Sequence, residues 1–247
     1  MSIDYNFNEK HLLITGCTSG IGQQCAWDLN KFNATLSVTG RSSEKFVKTK
    51  EKLKSGSYNA FIGDLTNSEF IDDLVKDVKP LDGLVLSAGI VDYTPVKLIS
   101  KQRIRNVFDL NFEANVLLIQ KLLLKKKINN SASIVIISSI SNKLGIPGTA
   151  LYAASKAAIS AYAKVLSSEL SSKKIRVNTV VPGVIKTELI TNKGVISVEE
   201  FNKDENAYPL GYGTVEDVSN QIMYLLSDAS KWVTGSEFVL DGGYLLK

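Results

Sequence analysis

Short apolar runs alternate along the chain with longer stretches in which apolar positions recur every three or four residues. The short runs are Leu12 to Thr15, Thr35 to Thr39, Ala60 to Ile62, Leu84 to Ser87, Ile134 to Ser138, Val177 to Val181 and Phe238 to Leu240. They are rich in β-branched and large apolar residues and carry little polar alternation, the pattern of strands buried on both faces. Between them, Gly22 to Asn30, Glu44 to Leu53, Ser68 to Val78, Arg103 to Lys126, Leu151 to Leu170 and Val215 to Ser227 have helical length and spacing. Strand and helix in alternation predict an α/β protein with one parallel sheet of seven strands. Right-handed crossovers then place helices on both of its faces. Residues 187–213 break the rhythm. They form a mixed segment with Gly194, Pro209, Gly211 and Gly213, too long for a simple connector, and are expected to form a flap over a site.

Composition narrows this picture. The 247 residues are 44% hydrophobic and 22% charged with five prolines, which fits a single folded domain spanning 1–247 and gives no reason to expect disorder. The net charge of +4 is spread among acidic residues. The Lys125-Lys126-Lys127 triplet reads as a solvated helix end, and without an aromatic-basic stripe no nucleic-acid partner is expected. Two cysteines, Cys17 and Cys25, lack metal-ligand spacing, and the single histidine, His11, reads as a charged or half-exposed residue at a strand entry, so no metal site is expected. The polar, acidic start from Met1 to Lys10 does not read as a signal peptide and no apolar run approaches a bilayer span, so a cytoplasmic protein without a membrane partner is the expectation.

The first strand runs directly into Thr15-Gly16-Cys17-Thr18-Ser19-Gly20-Ile21-Gly22, which opens the first helix. In that context glycines let a backbone approach a pyrophosphate closely, and the helix N-terminus offers unpaired N–H groups to it. Gly16, Thr18, Ser19, Gly20, Ile21 and Gly22 are therefore candidate dinucleotide contacts on a Rossmann-like, doubly wound sheet. After the second strand stands Gly40-Arg41-Ser42, where an NAD site often has a carboxylate for the adenosine ribose. Arg41 with Ser42 instead suits a 2′-phosphate, so NADP(H) is the expected cofactor and NAD(H) the second choice. Asp64-Leu65 ends the third strand, where Asp64 is placed either to accept from the adenine amine or to cap the helix that begins near Asn67.

Ser139 lies at the carboxyl end of the fifth strand, and Tyr152 and Lys156 lie one helical turn apart on the following helix. An ammonium beside a phenol favours phenolate and would tune Tyr152 toward acid/base work, with Lys156 also placed to hold a nicotinamide ribose. Ser139 would hydrogen-bond a substrate oxygen that Tyr152 protonates.

Thr15-Gly16-x-x-x-Gly20-Ile21-Gly22, Ser139, Tyr152-x-x-x-Lys156, Pro182-Gly183, Thr234-Gly235 and Asp241-Gly242-Gly243 together resemble the short-chain dehydrogenase/reductase family in its form of about 250 residues. The resemblance implies catalytic roles for Ser139, Tyr152 and Lys156, and for Asn111 as a fourth member that holds a water in a proton relay. It implies nicotinamide contacts from Pro182, Gly183, the Ile185 backbone and Thr187. Ser138 competes for the serine role, but the family's spacing favours Ser139, which leaves Ser138 pointing to the other face of the sheet. The chain departs from the family where Asn-Asn-Ala-Gly is replaced by Leu86-Ser87-Ala88-Gly89. Ala88 and Gly89 still permit close approach of a cofactor, while the amide hydrogen bonds of that strand end are lost or pass to Ser87. The resemblance also implies a homotetramer, with a dimer second, through the helices Arg103 to Lys126 and Leu151 to Leu170, where Ala153, Ala157, Ala161 and Ser160 suit close packing, and through Trp232 to Leu246.

Val91, Tyr93, Ile140, Leu144, Ile146, Leu189, Ile190, Phe201 and Tyr208 are candidate pocket walls, with Ile140, Ile146 and Tyr93 the substrate contacts alongside Ser139 and Tyr152. Glu199, Glu200, Asp204 and Glu205 make the flap acidic, or form a solvated helix face. The expectation is an NADPH-dependent reductase of a small-molecule carbonyl, a ketone or 3-oxoacyl group. An NAD-dependent secondary-alcohol dehydrogenase and a non-catalytic dinucleotide sensor or scaffold are the alternatives.

Overall fold

The computed structural model describes residues 5–187 and 205–246. Seven parallel strands form one sheet in the order β3-β2-β1-β4-β5-β6-β7, a Rossmann-like arrangement. The strands are β1 His11–Thr15, β2 Thr35–Gly40, β3 Tyr58–Ile62, β4 Leu81–Leu86, β5 Ile128–Ile137, β6 Arg176–Pro182 and β7 Glu237–Leu240. The helices are α1 Gly20–Lys31, α2 Ser43–Lys50, α3 Ser68–Asp77, α4 Lys101–Phe108, α5 Ala114–Leu124, α6 Ala150–Glu169 and, numbered in order among the described residues, α7 Val215–Leu226.

The period of two along each strand divides the core. Leu13, Leu84, Ile134, Ile136 and Val177 face one side and pack with Leu74 of α3, Leu118 and Leu122 of α5, and Ile159 and Ala163 of α6. Leu12, Ile14, Val38, Val85, Val135 and Ile137 face the other and pack with Cys25 and Leu29 of α1, Phe46 of α2, and Val218 and Ile222 of α7. These helices thus each bury a stripe against the sheet. β1 runs on to β2 on one side and pairs with β4 on the other, so the strand order reverses between β1 and β4 and opens a crevice at their carboxyl ends.

Four details differ from the pattern-based expectation. The stretch Arg103 to Lys126 is not one helix: a π-turn over Asp109–Glu113 separates α4 from α5, marked by the Ala114 N–H reaching back to the Asp109 carbonyl. β5 begins at Ile128, six residues early, because the polar Asn129-Asn130-Ser131 disguises an extended segment that still pairs Ile128 with Leu81 across a bulge. His11 is buried, not half-exposed; its ring meets the Pro80 carbonyl at 3.1 Å and Ser37 Oγ at 3.0 Å. Of the lysine triplet, Lys125 and Lys126 are exposed, but Lys127 reaches back to the Lys76 and Val78 carbonyls at the end of α3. Among the described residues, no helix is long and apolar enough to cross a membrane and no cluster of metal-ligating side chains occurs.

Candidate active site

The glycine turn is shaped by packing against the β4 end. Gly16 has φ +72°, and a Cβ there would stand 2.9 Å from Ala88 Cα; a Cβ on Gly22 would stand 2.5 Å from the Gly16 carbonyl oxygen. Glycine at these two positions is what lets the β1 turn, the β4 turn and α1 come together. Thr15 Oγ1 accepts from both Ser87 N and Ala88 N at 3.1 Å. The strand end at Leu86-Ser87-Ala88-Gly89 is therefore tied by Thr15, not by the Ser87 side chain, while Leu86 is buried in the core. Ser19 is the N-cap of α1 but its hydroxyl makes no cap bond, so the leading N–H groups of the helix keep their capacity for an anion. These features fit a dinucleotide pyrophosphate. Gly20, with φ +56°, faces the Thr187 methyl, Cγ2 lying 3.5 Å from where a Cβ would be, and Ile21 is partly buried against the core.

At the adenosine end, Arg41 is exposed directly after β2. Ser42 is the N-cap of α2, its Oγ accepting from Lys45 N at 3.1 Å, so it has a structural task besides any phosphate contact. Asp64 does not cap α3. Asn67 does, while Asp64 Oδ1 is taken by Thr66 N and Oγ1; Leu65 is buried in the core.

At the reacting end, Tyr152 and Lys156 lie in the first two turns of α6, and the Tyr152 phenol is beside Ser139, which follows β5 and whose Oγ donates to Ser141 Oγ at 3.2 Å. Ser138 turns toward α6, giving its hydroxyl proton to the Lys156 carbonyl at 2.9 Å and accepting from Ser160 Oγ and Asn142 Nδ2. That leaves Ser139 as the serine at the phenol. It also makes Ser160 a buried buttress of the site, not an exposed helix-packing residue.

Asn111 stands in the π-turn. Its Oδ1 accepts from Ile90 N at 2.8 Å and its Nδ2 donates to the Ile90 carbonyl at 2.9 Å and to Ser155 Oγ at 3.0 Å. Ser155 Oγ in turn donates to the Tyr152 carbonyl, and Asn115 Nδ2 donates to the Asn111 carbonyl at 3.1 Å. The π-turn, the β4 loop and α6 are thereby pinned together behind the tyrosine, the use that π-turns commonly serve near functional sites. Ser155 and Asn115 were not singled out from sequence. A signal for Asn115 was there, a polar residue one turn beyond Asn111 on the face of α5 that otherwise holds Ala114, Leu118, Ile119 and Leu122. Gly89 leaves room for this cluster: a Cβ on it would lie 3.1 Å from Asn111 Oδ1 and 3.4 Å from Lys156 Nζ.

The electrostatics correct one expectation. Burial raises Tyr152 above the ordinary phenol range; the Ser139 hydrogen bond pulls the other way and the Tyr93 phenol adds to the rise. Lys156 Nζ lies 5.8 Å from the ring centroid and donates to the Ile137 carbonyl at 2.9 Å. Burial brings Lys156 itself down to about 8. The site holds a protonated phenol, suited to donating, and an ammonium that gives up its charge unusually easily. Both cysteine thiols are buried and pushed up to about 12, which leaves them inert.

After β6, Gly183 N donates to the Leu240 carbonyl, and Ile185 bridges Gly213, so the Pro182 to Thr187 segment is fixed against the β7 end and the residues just before α7. Of the candidate substrate contacts, Tyr93 and Ile146 are exposed, while Ile140, in the short helical turn after Ser139, is buried at 3% exposure. Leu189, Ile190, Phe201, Glu199, Glu200 and Asp204 lie outside the described residues. Glu205 pairs with Lys186 at 2.7 Å.

Residues 16–245 match the family described as Enoyl-(Acyl carrier protein) reductase. The chain is 34% identical over 235 residues to the 3-oxoacyl-[acyl-carrier-protein] reductase FabG of Rickettsia bellii, covering 95% of this chain and 96% of the relative. It is 30% identical to the D-erythrulose reductase of Gallus gallus, over the full length of both. Among solved structures, ElxO with NADP bound superposes with a TM-score of 0.84 at 28% identity, covering 96% of this chain and 99% of that one. The chain belongs to the short-chain dehydrogenase/reductase family. It is an NAD(P)-dependent oxidoreductase acting between CH–OH and C=O.

Proposed function

We propose that the chain reduces the carbonyl of a small molecule, a ketone or 3-oxoacyl group, to a secondary alcohol with NADPH. The observation that carries the reading is the protonated Tyr152 phenol on Ser139, backed by buried Lys156 at the carboxyl edge of the sheet. When bound, the nicotinamide supplies the hydride. Ser139 holds the substrate oxygen, Tyr152 gives it the proton, and the ammonium of Lys156 steadies the phenolate left behind. Asn111, with the π-turn around it, keeps the β4 loop and α6 in register. The relatives named above are both reductases by name, which supports the direction. Exposed Tyr93 and Ile146 give the entrance an apolar character.

For the cofactor, Gly16, Thr18, Ser19, Gly20, Ile21 and Gly22 serve the pyrophosphate, Arg41 and Ser42 the 2′-phosphate, and Asp64 and Leu65 the adenine. Ser87, Ala88, Gly89, Tyr152 and Lys156 serve the nicotinamide ribose side, and Pro182, Gly183, Ile185 and Thr187 the carboxamide. The NADP in ElxO supports this choice of cofactor. Parallel fluorescence titrations with NADPH and NADH test it. Tighter binding of NADPH is expected, with Arg41→Ala reducing the preference by about tenfold, the scale of one charge-assisted hydrogen bond. Preference for NADH, or a preference that survives Arg41→Ala, overturns the assignment.

The chain is further proposed to work as one catalytic domain and as a homotetramer. Ala157, Ala161 and Val165 line an exposed stripe of α6, and Trp232, Val239 and Leu246 form a second exposed apolar area around β7.

A further inference from the structure

A buried hydroxyl joins the two parts of the proposed cofactor site that the sequence treats separately. Thr49, in the last turn of α2, is fully buried. Its Oγ1 donates to the Cys17 carbonyl in the glycine turn at 3.0 Å and accepts from Gln23 Nε2 of α1 at 2.8 Å. Its own carbonyl accepts from Trp27 Nε1 of α1 at 2.9 Å. Cys17 N donates to the Thr39 carbonyl of β2 at 2.9 Å, so this one residue of the turn is held on its N–H by β2 and on its C=O by α2. The next contact continues the line: a Cβ on Gly40 would stand 2.3 Å from Thr18 Cγ2, so Thr18 lies on the residue just before Arg41.

These bonds have a directional consequence. With no cis peptide in the described chain, a Cys17 carbonyl aimed at Thr49 sends the Thr18 N–H the opposite way, out of the α2 side of the turn. Without the hydroxyl, that carbonyl would be a buried acceptor with no partner, and the turn would lose its hydrogen bond to α2.

We infer that Thr49 is a positioning residue that holds the glycine turn and the Arg41 loop in the one register where a single ligand spans both. This rests on the reading of Arg41 given above. NADH needs only the turn, whereas NADPH needs the turn and Arg41 at a fixed separation, so Thr49 acts on discrimination more than on binding as such.

The test is fluorescence titration of NADPH and NADH against wild type, Thr49→Val, Thr49→Ser and Arg41→Ala, with melting temperatures measured alongside. Thr49→Val keeps the shape and removes the hydroxyl. It is expected to weaken NADPH about tenfold and NADH by about twofold or less, the former being the size of one lost buried hydrogen bond. Thr49→Ser restores the wild-type ratio. Equal losses for both cofactors in Thr49→Val, or a Thr49→Ser ratio like that of valine, overturn the inference and make Thr49 a stability residue only. If Thr49→Val does not fold, Gln23→Leu removes the donor that aims the hydroxyl and is expected to lower the NADPH:NADH ratio about threefold; an unchanged ratio overturns the inference. An unchanged ratio in Arg41→Ala sinks the reading of Arg41 itself, and a ratio lowered by Arg41→Ala but not by Thr49→Val sinks only the role of Thr49.

Discussion

The sheet buries titratable groups at both of its ends, and the two ends treat them differently. At the amino end, His11 gives its Nδ1 proton to the Pro80 carbonyl and takes a hydrogen bond from Ser37 Oγ on Nε2, the only tautomer a carbonyl partner allows. The His11 N–H meets Asp82 Oδ2, and Asp82 Oδ1 takes the Asn129 amide. Every group is answered by another, which is how a buried polar cluster serves as scaffold. At the carboxyl end, Lys156 has three N–H donors and one hydrogen-bond acceptor among the described residues, the Ile137 carbonyl, and the Tyr152 phenol lies beside Ser139. Burial without full satisfaction is costly to the fold, so it is informative where it persists. The same chemistry that marks a closed scaffold at one end marks an open site at the other.

The largest test of that contrast is Tyr152→Phe. It removes one transferable proton and nearly no volume, so turnover is expected to fall by about 10²- to 10⁴-fold, the range for losing a general acid, with NADPH binding close to wild type by fluorescence. Turnover within a factor of a few of wild type would mean that the open end is not where the proton moves.

A smaller effect comes from Lys156. Its folded pKa of about 8 lies below the 10.5 of a free lysine, so between these values the unfolded chain holds the extra proton. For this group, folding stability therefore rises as pH climbs from about 8 toward 10.5, with the full penalty present below 8. In the folded enzyme the ammonium that steadies the phenolate is lost as pH rises through about 8. The profile of kcat/KM, which reports groups of the free enzyme, should break on the alkaline side near pH 8. Lys156→Arg keeps its charge and should lose that break. A wild-type profile flat until the phenol range would show that Tyr152 alone sets the alkaline limb.

The contrast also shows what sequence can and cannot reveal. All seven strands were legible from their apolar runs, although the edge strands β3 and β7 stay partly exposed, and the errors fall where polar residues enter a strand, as at Asn59, Asn129 and Asn130. Ser139, Tyr152 and Lys156 could be named from their order and spacing. Their charge states could not, because burial depends on what α6 packs against. The π-turn was hidden because apolar periodicity holds on either side of it and a single inserted residue leaves no composition signal. Thr49 was invisible for a similar reason: a threonine between lysines on a polar helix looks solvated until α1 is folded over it.

The smallest effect belongs to the closed end. Burial lowers His11 below the ordinary histidine range, ahead of the opposing pull of the Pro80 hydrogen bond and of Asp82. A depressed histidine is neutral in the fold while the unfolded chain protonates, so its contribution is present above the free value of 6.5 and is lost as pH falls through the folded pKa. Carboxylates titrating at lower pH also erode stability, so the comparison is with His11→Gln, which retains a donor and an acceptor but no titration in this range. Melting temperatures measured between pH 7 and pH 5 should fall more steeply for wild type than for the variant, while kcat/KM at pH 7 should be nearly equal in the two. Parallel stability curves would mean that Asp82 offsets the burial of the ring, and a large loss of turnover in His11→Gln would mean that the two ends of the sheet are not independent.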